Sequence, residues 1–257
     1  MNSNFNFLFI TLFYLFLYGC SSEEDVVVNQ EINETVVEDV VVEQVVTVQE
    51  DLLTNNSTNS FIFTPSGALS NKPIDVFYHI PGGDLKNLPI LFSFHGGTRN
   101  ASSYRNYWIE MANSNNFMVF APKFDDINFE GGDKYNLANI FEDGDNPSIE
   151  SYNPSDLWSF SIIDQLFDFI VAEVEGNQVN YNAWGHSAGA QFLHRFILYL
   201  PNSKLNTGVI SNSGWYTVPD NEFDFPYGIL NSQLEDSTLV NAFSKKLYIK
   251  ISLHSSS

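Results

Sequence analysis

The sequence holds a single cysteine, Cys20, so no internal disulfide can staple the fold. Basic residues are scarce as well. Eleven Lys and Arg stand against 31 Asp and Glu, a net charge of −20, which leaves no basic face for nucleic acid. No Gly-rich phosphate loop, zinc-type Cys/His spacing or EF-hand loop is present, and no cofactor or metal is implied. Glu142-Asp143-Gly144-Asp145-Asn146 is acidic but lacks calcium-ligand spacing and reads as a solvated loop. No longer internal repeat is visible, which leaves a solenoid unsupported. The apolar run at 5–18, FNFLFITLFYLFLY, is too short for a comfortable membrane span and has the length of a signal-peptide core.

What is present begins at that run. Residues 1–19 read as a signal peptide, and Leu17-Tyr18-Gly19-Cys20 resembles a bacterial lipobox, which implies a lipidated Cys20 as mature N-terminus. Two features depart from that pattern: MNSN carries no Lys or Arg, and Tyr18 is bulky for its position. The alternative is a plain secretory signal. Ser21-Ser22-Glu23-Glu24-Asp25 resembles the surface-export signal of Bacteroidetes-type lipoproteins. The expectation is an outer-membrane lipoprotein, anchored by its N-terminal lipid and exposed at the cell surface, otherwise a secreted or periplasmic protein. Residues 21–58 contain ten Asp/Glu and no Lys or Arg. Acids alternate there with valines without a steady period, so 20–58 reads as an acidic, solvated tether, with a β-strand that pairs elsewhere as the alternative. The expected domain, 59–257, keeps a net charge of about −10, from which no substrate follows.

Hydrophobic content of 44%, with 23 phenylalanines, supplies a sizeable core for that domain. Short strands are predicted at Phe61–Thr64 and, alternating, at Ile74–Ile80. Pro89–Phe94 and Phe117–Phe120 are continuous apolar runs, as strands buried on both faces require. Between them, Ala101–Ser114 carries Tyr104, Tyr107, Trp108 and Met111 at helical spacing. The stretch 123–154 is polar, Gly-rich and aromatic without a period, a long loop of the functional or mobile kind. Leu157, Phe160, Ile163, Phe167, Ile170 and Val174 form the stripe of a helix over Leu157–Val174, with Ser155 as N-cap and Gly176 as stop. A strand at Thr207–Ser211, a helix at Leu234–Phe243 and a strand at Lys246–Leu253 follow. Strands alternating with helices predict an α/β fold, a mainly parallel sheet with helices on both faces and a ligand site at the carboxyl ends of the strands.

The centre of the chain is Val179–Leu193, VNYNAWGHSAGAQFL. A β-type run passes through Gly185-His186-Ser187-Ala188-Gly189 into an apolar-periodic helix, the setting a G-x-S-x-G nucleophile elbow requires. A Cβ at Gly185 or Gly189 would crowd the turn. The turn lifts the Ser187 hydroxyl above the sheet and places the Ala188 N–H at a helix N-terminus, where it can face an oxyanion. His186 should point away from that hydroxyl, His194 reads as a packed or capping group, and His79 as a partly buried side chain. His95 should hold the following glycines by a ring hydrogen bond.

HGG after one buried strand and GHSAG after a later one resemble the α/β-hydrolase superfamily over nearly all of residues 60–253. GHSAGAQFLHRF, SNSGWYTVPD and FPYG are similar to a bacterial branch near the esterases and polyester depolymerases. The resemblance implies Ser187 as nucleophile, and an oxyanion hole from the Ala188 N–H plus that of Gly97, with Thr98 as alternative donor. It implies a small-molecule or polymeric ester as substrate. Trp215, Tyr216 and the 123–154 loop are expected to line an apolar pocket above Ser187. The superfamily order also implies an acid and then a histidine after the strand at Lys246–Leu253. The sequence there reads IKISLHSSS, with His254 early at the strand end, and Asp220 or Asp224 as displaced acids. The expectation is a C-terminally incomplete domain, its last strand and helix missing. An ester hydrolase is the first reading. A catalytically silent, surface-tethered binding protein that lacks the triad Asp and His is the second.

Overall fold

The computed structural model describes residues 52–251. Cys20, the expected signal peptide, most of the expected tether and His254 lie outside the described residues.

Among the described residues, seven strands form one sheet in the order β1-β2-β4-β3-β5-β6-β7. In chain order they are β1 (Ser57–Phe63), β2 (Ile74–Ile80), β3 (Ile90–Phe94), β4 (Met118–Lys123), β5 (Tyr181–His186), β6 (Leu205–Ser211) and β7 (Lys246–Lys250). The β1–β2 and β2–β4 pairs are antiparallel, and the remaining pairs are parallel. The helices are α1 (Ala101–Asn106), α2 (Ile109–Asn115), α3 (Gly131–Lys134), α4 (Ser161–Glu173), α5 (Ala188–Tyr199) and α6 (Asp236–Phe243). Ordered chain precedes the expected domain start: β1 opens at Ser57, and Leu53 is buried.

Side-chain alternation puts helices on both sheet faces. On one, Phe94 of β3 meets Phe192 of α5 with ring centroids 4.9 Å apart, and Tyr181 of β5 meets Phe167 of α4 at 5.2 Å. On the other, the Ser93 hydroxyl donates to the Tyr104 carbonyl of α1 at 3.1 Å, and Trp108 stands edge-on to Trp184 of β5. Continuous runs such as ILFSF suit central strands covered on both sides. At the far edge, all five residues of β7 are exposed, Tyr248 and Ile249 among them.

Three expected elements differ in detail. The helix predicted over Ala101–Ser114 is broken at Tyr107–Trp108, and Tyr107 and Met111 of its stripe face solvent. The single helix of Leu157–Val174 is a 3-10 turn at Ser155–Leu157 followed by α4, so Ser155 opens the turn rather than capping the helix. After α4 the left-handed residue is Glu175, not Gly176. The aperiodic 123–154 stretch is packed: Phe124, Phe129, Tyr135, Leu137, Ile140 and Phe141 are all buried. Its apolar residues serve a loop core, for which no backbone period exists to be read.

Candidate active site

Register brings three strand ends together. Phe94 of β3 pairs with Gly185 of β5, and His186 pairs with Ser211 of β6. The His95-Gly96-Gly97 loop therefore leaves the sheet beside Ser187, and the segment after Ser211 leaves on its other side. Ser187 sits at the turn itself, with φ 54° and ψ −119° immediately before α5. This is a region L-residues avoid, at a cost of about 1–3 kcal/mol that the surroundings must impose. They do so through contacts on both flanks. The Ser187 N–H donates to the Ser211 carbonyl at 3.1 Å. A Cβ on Gly185 would fall under 3.0 Å from the Gly189 carbonyl oxygen, and one on Gly189 would fall 2.7 Å from that of His95. Both glycines thus answer to close backbone approach.

The HGG loop is a tight turn. The Gly96 carbonyl accepts from the Arg99 N–H at 3.1 Å and from His95 Nδ1 at 2.9 Å. Gly97 and Thr98 form its exposed tip, and nothing lies within 4 Å of a Cβ built on Gly97. A Cβ on Gly96 would lie 3.7 Å from the Ser187 Cβ, so this turn borders Ser187. Ala188, first in α5, carries one of the N–H groups that no helix can satisfy internally.

His95 is held from both sides: the Phe124 N–H donates to its Nε2 at 3.0 Å, which fixes Nδ1 as the protonated nitrogen facing Gly96. Burial, seconded by Arg99 and Lys123, pushes its pKa down to about 4. The Tyr135 ring lies tilted against the His95 ring with centroids 4.5 Å apart, and its hydroxyl donates to the His95 carbonyl at 2.6 Å. Arg99 clamps the loop after β4 to the same turn. Its guanidinium donates to the carbonyls of Phe124, Phe129 and Gly131, pairs with Asp126 and lies 4.5 Å from the Tyr135 ring centroid.

The described histidines are occupied elsewhere. His194 Nδ1 donates to the Ala190 carbonyl at 3.0 Å, and its Nε2 accepts the Thr217 N–H at 3.0 Å. Burial, with Arg195 adjacent, pushes its pKa down to about 3, so it is a neutral, packed group. His79 engages Thr58 at 2.7 Å and Asn113 at 2.9 Å. His186 turns to the Tyr104 hydroxyl at 3.1 Å and stacks on Trp184. Among the described residues the Ser187 hydroxyl has no hydrogen-bond partner, and neither Asp220 nor Asp224 pairs with a histidine. The Asp220 carboxylate accepts the Glu222 N–H at 2.8 Å, a local turn contact.

The two rim aromatics part company. Trp215 lines a cleft with Leu137, Asp145 and Pro147 of the 123–154 loop, and Ser187 is not among the residues that line it. Tyr216 does not join it, a correction to the expected pair. Its ring packs 5.3 Å from His194 and lines a separate apolar cavity with Ile197, Ile210 and Leu247.

Sequence reasoning missed Arg195. It is fully buried on α5, two turns after Ser187, and no carboxylate pairs with it among the described residues. Its Nε donates to Thr217 Oγ1 at 2.8 Å, and one Nη donates to the carbonyls of Asn136 and Gln191, each at 3.0 Å. Its guanidinium lies 4.1 Å from the Trp215 ring centroid, and burial lowers its pKa to about 9. The available signal was a charge set within the apolar run FLHRFILY.

No family model matches the sequence, and no curated protein matches it. Solved structures do. Over 79% of this chain and 74% of the other, it is similar to poly(aspartic acid) hydrolase-1 from Sphingomonas sp. KT-1, with 31% identity and a TM-score of 0.72. A poly(3-hydroxybutyrate) depolymerase from Bordetella parapertussis matches at 25% identity and a TM-score of 0.69, over 76% of this chain and 65% of that one. With the strained serine between crowding glycines, the bordering HGG turn and this likeness together, the chain belongs to the α/β-hydrolase superfamily.

Proposed function

We propose that the protein is a carboxylic-ester hydrolase with Ser187 as its nucleophile. The observation that carries this reading is the Ser187 backbone, held at φ 54° beside the HGG turn. In the proposed reaction Ser187 Oγ attacks the ester carbonyl carbon and its proton passes to a base. The oxyanion is met by the N–H groups of Ala188 and Gly97, with Thr98 as the alternative to Gly97. The alcohol then leaves with a proton, and water cleaves the acyl-enzyme. The two neighbours act on polymers by name, which supports a polymeric or oligomeric substrate.

One observation favours a second reading, a cleft that binds without turnover: every described histidine is hydrogen-bonded away from Ser187. His254 lies outside the described residues and is the first base to test. The deciding experiment is p-nitrophenyl ester turnover with fluorophosphonate labelling of the full chain, Ser187→Ala and His254→Ala. The hydrolase reading expects Ser187-dependent labelling and turnover. Activity at the residual level of about 10³–10⁴ over water, typical of triad knockouts, would leave the silent cleft standing. Anchoring in the outer membrane through a lipidated Cys20 is proposed from the sequence alone, and membrane fractionation of Cys20→Ala tests it.

A further inference from the structure

The loops that follow β4 and β6 face one another across a cleft of about 380 Å³. Leu137, Asp145 and Pro147 form one wall, and Trp215, Asp224 and Tyr227 stand on the other. Both walls are tied to the helix that starts at Ser187. Gln191, one turn along, accepts the Asn136 side-chain N–H at 2.7 Å, and its Nε2 lies 3.1 Å from where a Gly214 Cβ would stand. Arg195, the next turn on, joins the Asn136 carbonyl to Thr217, whose hydroxyl donates to the Pro226 carbonyl at 2.6 Å. A cleft braced this way is preformed for a ligand.

Its chemistry is aromatic and acidic. The Trp215 and Tyr227 rings lie 5.3 Å apart. Asp145 and Asp224 line the cleft, both exposed and, among the described residues, neither in an ion pair. Among the described residues, no Lys or Arg lines it. Arg195 sits against Trp215 but is wholly buried; its Nε and one Nη are committed to internal acceptors, and the other Nη has no hydrogen-bond partner among the described residues. Asp133, whose pKa is raised by burial and by nearby Asp145 and Asp143, marks the same negative field. An anionic unit entering the cleft would meet two exposed carboxylates that no ion pair neutralises among the described residues, whereas a neutral unit would meet aromatic surface.

We propose that this cleft is the substrate subsite beyond the scissile ester, and that Asp145 and Asp224 make it admit neutral or cationic units and reject anionic ones. This rests on the hydrolase reading. It separates the chain, in substrate charge, from the poly(aspartic acid) hydrolase it resembles in fold. The test is calorimetric binding to the full chain carrying Ser187→Ala, so that turnover plays no part. The probes are a methyl-capped trimer of 3-hydroxybutyrate and triaspartate, at low salt. The trimer should bind at least about tenfold more tightly, and Asp145→Asn with Asp224→Asn should narrow the ratio to about threefold or less, the scale of two partly screened charges. Asp145→Lys should favour triaspartate further. Equal or tighter triaspartate binding in the unsubstituted cleft, a ratio unmoved by the Asn pair, or no binding of either probe would overturn the proposal. Turnover of p-nitrophenyl acetate by the chain with Ser187 intact is measured alongside. Its absence with the binding ratio as expected would defeat the hydrolase reading, and with it the subsite's place beside a scissile ester, and leave only the charge selectivity of the cleft.

Discussion

Gly189→Ala puts a Cβ into the space where β3 ends. The new atom would lie under 3.0 Å from the Phe94 carbonyl oxygen and 2.7 Å from that of His95. Both are backbone atoms of a central strand and of the turn that borders Ser187, so no rotamer change relieves the overlap. Overpacking of this kind costs about 1–3 kcal/mol. For a domain of this size each kcal/mol lowers Tm by about 2–4 °C, so a loss of about 2–12 °C is expected. Because α5 must retreat from β3, Ser187 should also react more slowly with a fluorophosphonate. Gly97→Ala is the matched control. A Cβ there meets nothing within 4 Å, and its stability should stay within about 0.5 kcal/mol of the parent. Differential scanning calorimetry of the two variants decides the matter. A Gly189→Ala protein with parental Tm and parental labelling rate would refute the close-approach account of the elbow.

Ser187→Gly should raise Tm, since glycine adopts the φ 54° conformation without the strain serine bears; a gain of about 1 kcal/mol is expected, and a fall in Tm would show that the elbow is unstrained. Stability should also fall on acidification between about pH 6.5 and 4. The folded pKa values of His95 and His194, about 4 and about 3, lie below the unfolded value, so the unfolded chain binds more protons in that window. Each contributes a slope approaching about 1.4 kcal/mol per pH unit there, and urea midpoints that do not move between pH 7 and 5 would contradict their burial as neutral rings.

Much of the fold was legible in the sequence because it rests on local patterns. The alternation in IDVFYHI marks β2 at Ile74–Ile80, and the continuous run ILFSF marks a strand buried on both faces. The elbow was legible for the same reason: a strand, two glycines around a serine and an apolar helix are contiguous, and their turn is a local steric problem. The role of His95 followed from its place just before the glycines. Other features depend on partners distant in sequence. Helical spacing alone did not reveal the break at Tyr107–Trp108, nor that Tyr107 and Met111 face water.

The sequence by itself determined the elements, the alternation that makes the sheet mainly parallel, and the serine at its centre, because hydrophobic period and backbone sterics act over a few residues. Only the tertiary structure decided which loops meet. The burial of Tyr135 and Phe141, the split between Trp215 and Tyr216, and the bracing of two loops by Arg195 all arise from contacts far apart in the chain. A buried guanidinium can hold carbonyls from separate segments only after the sheet has placed those segments side by side.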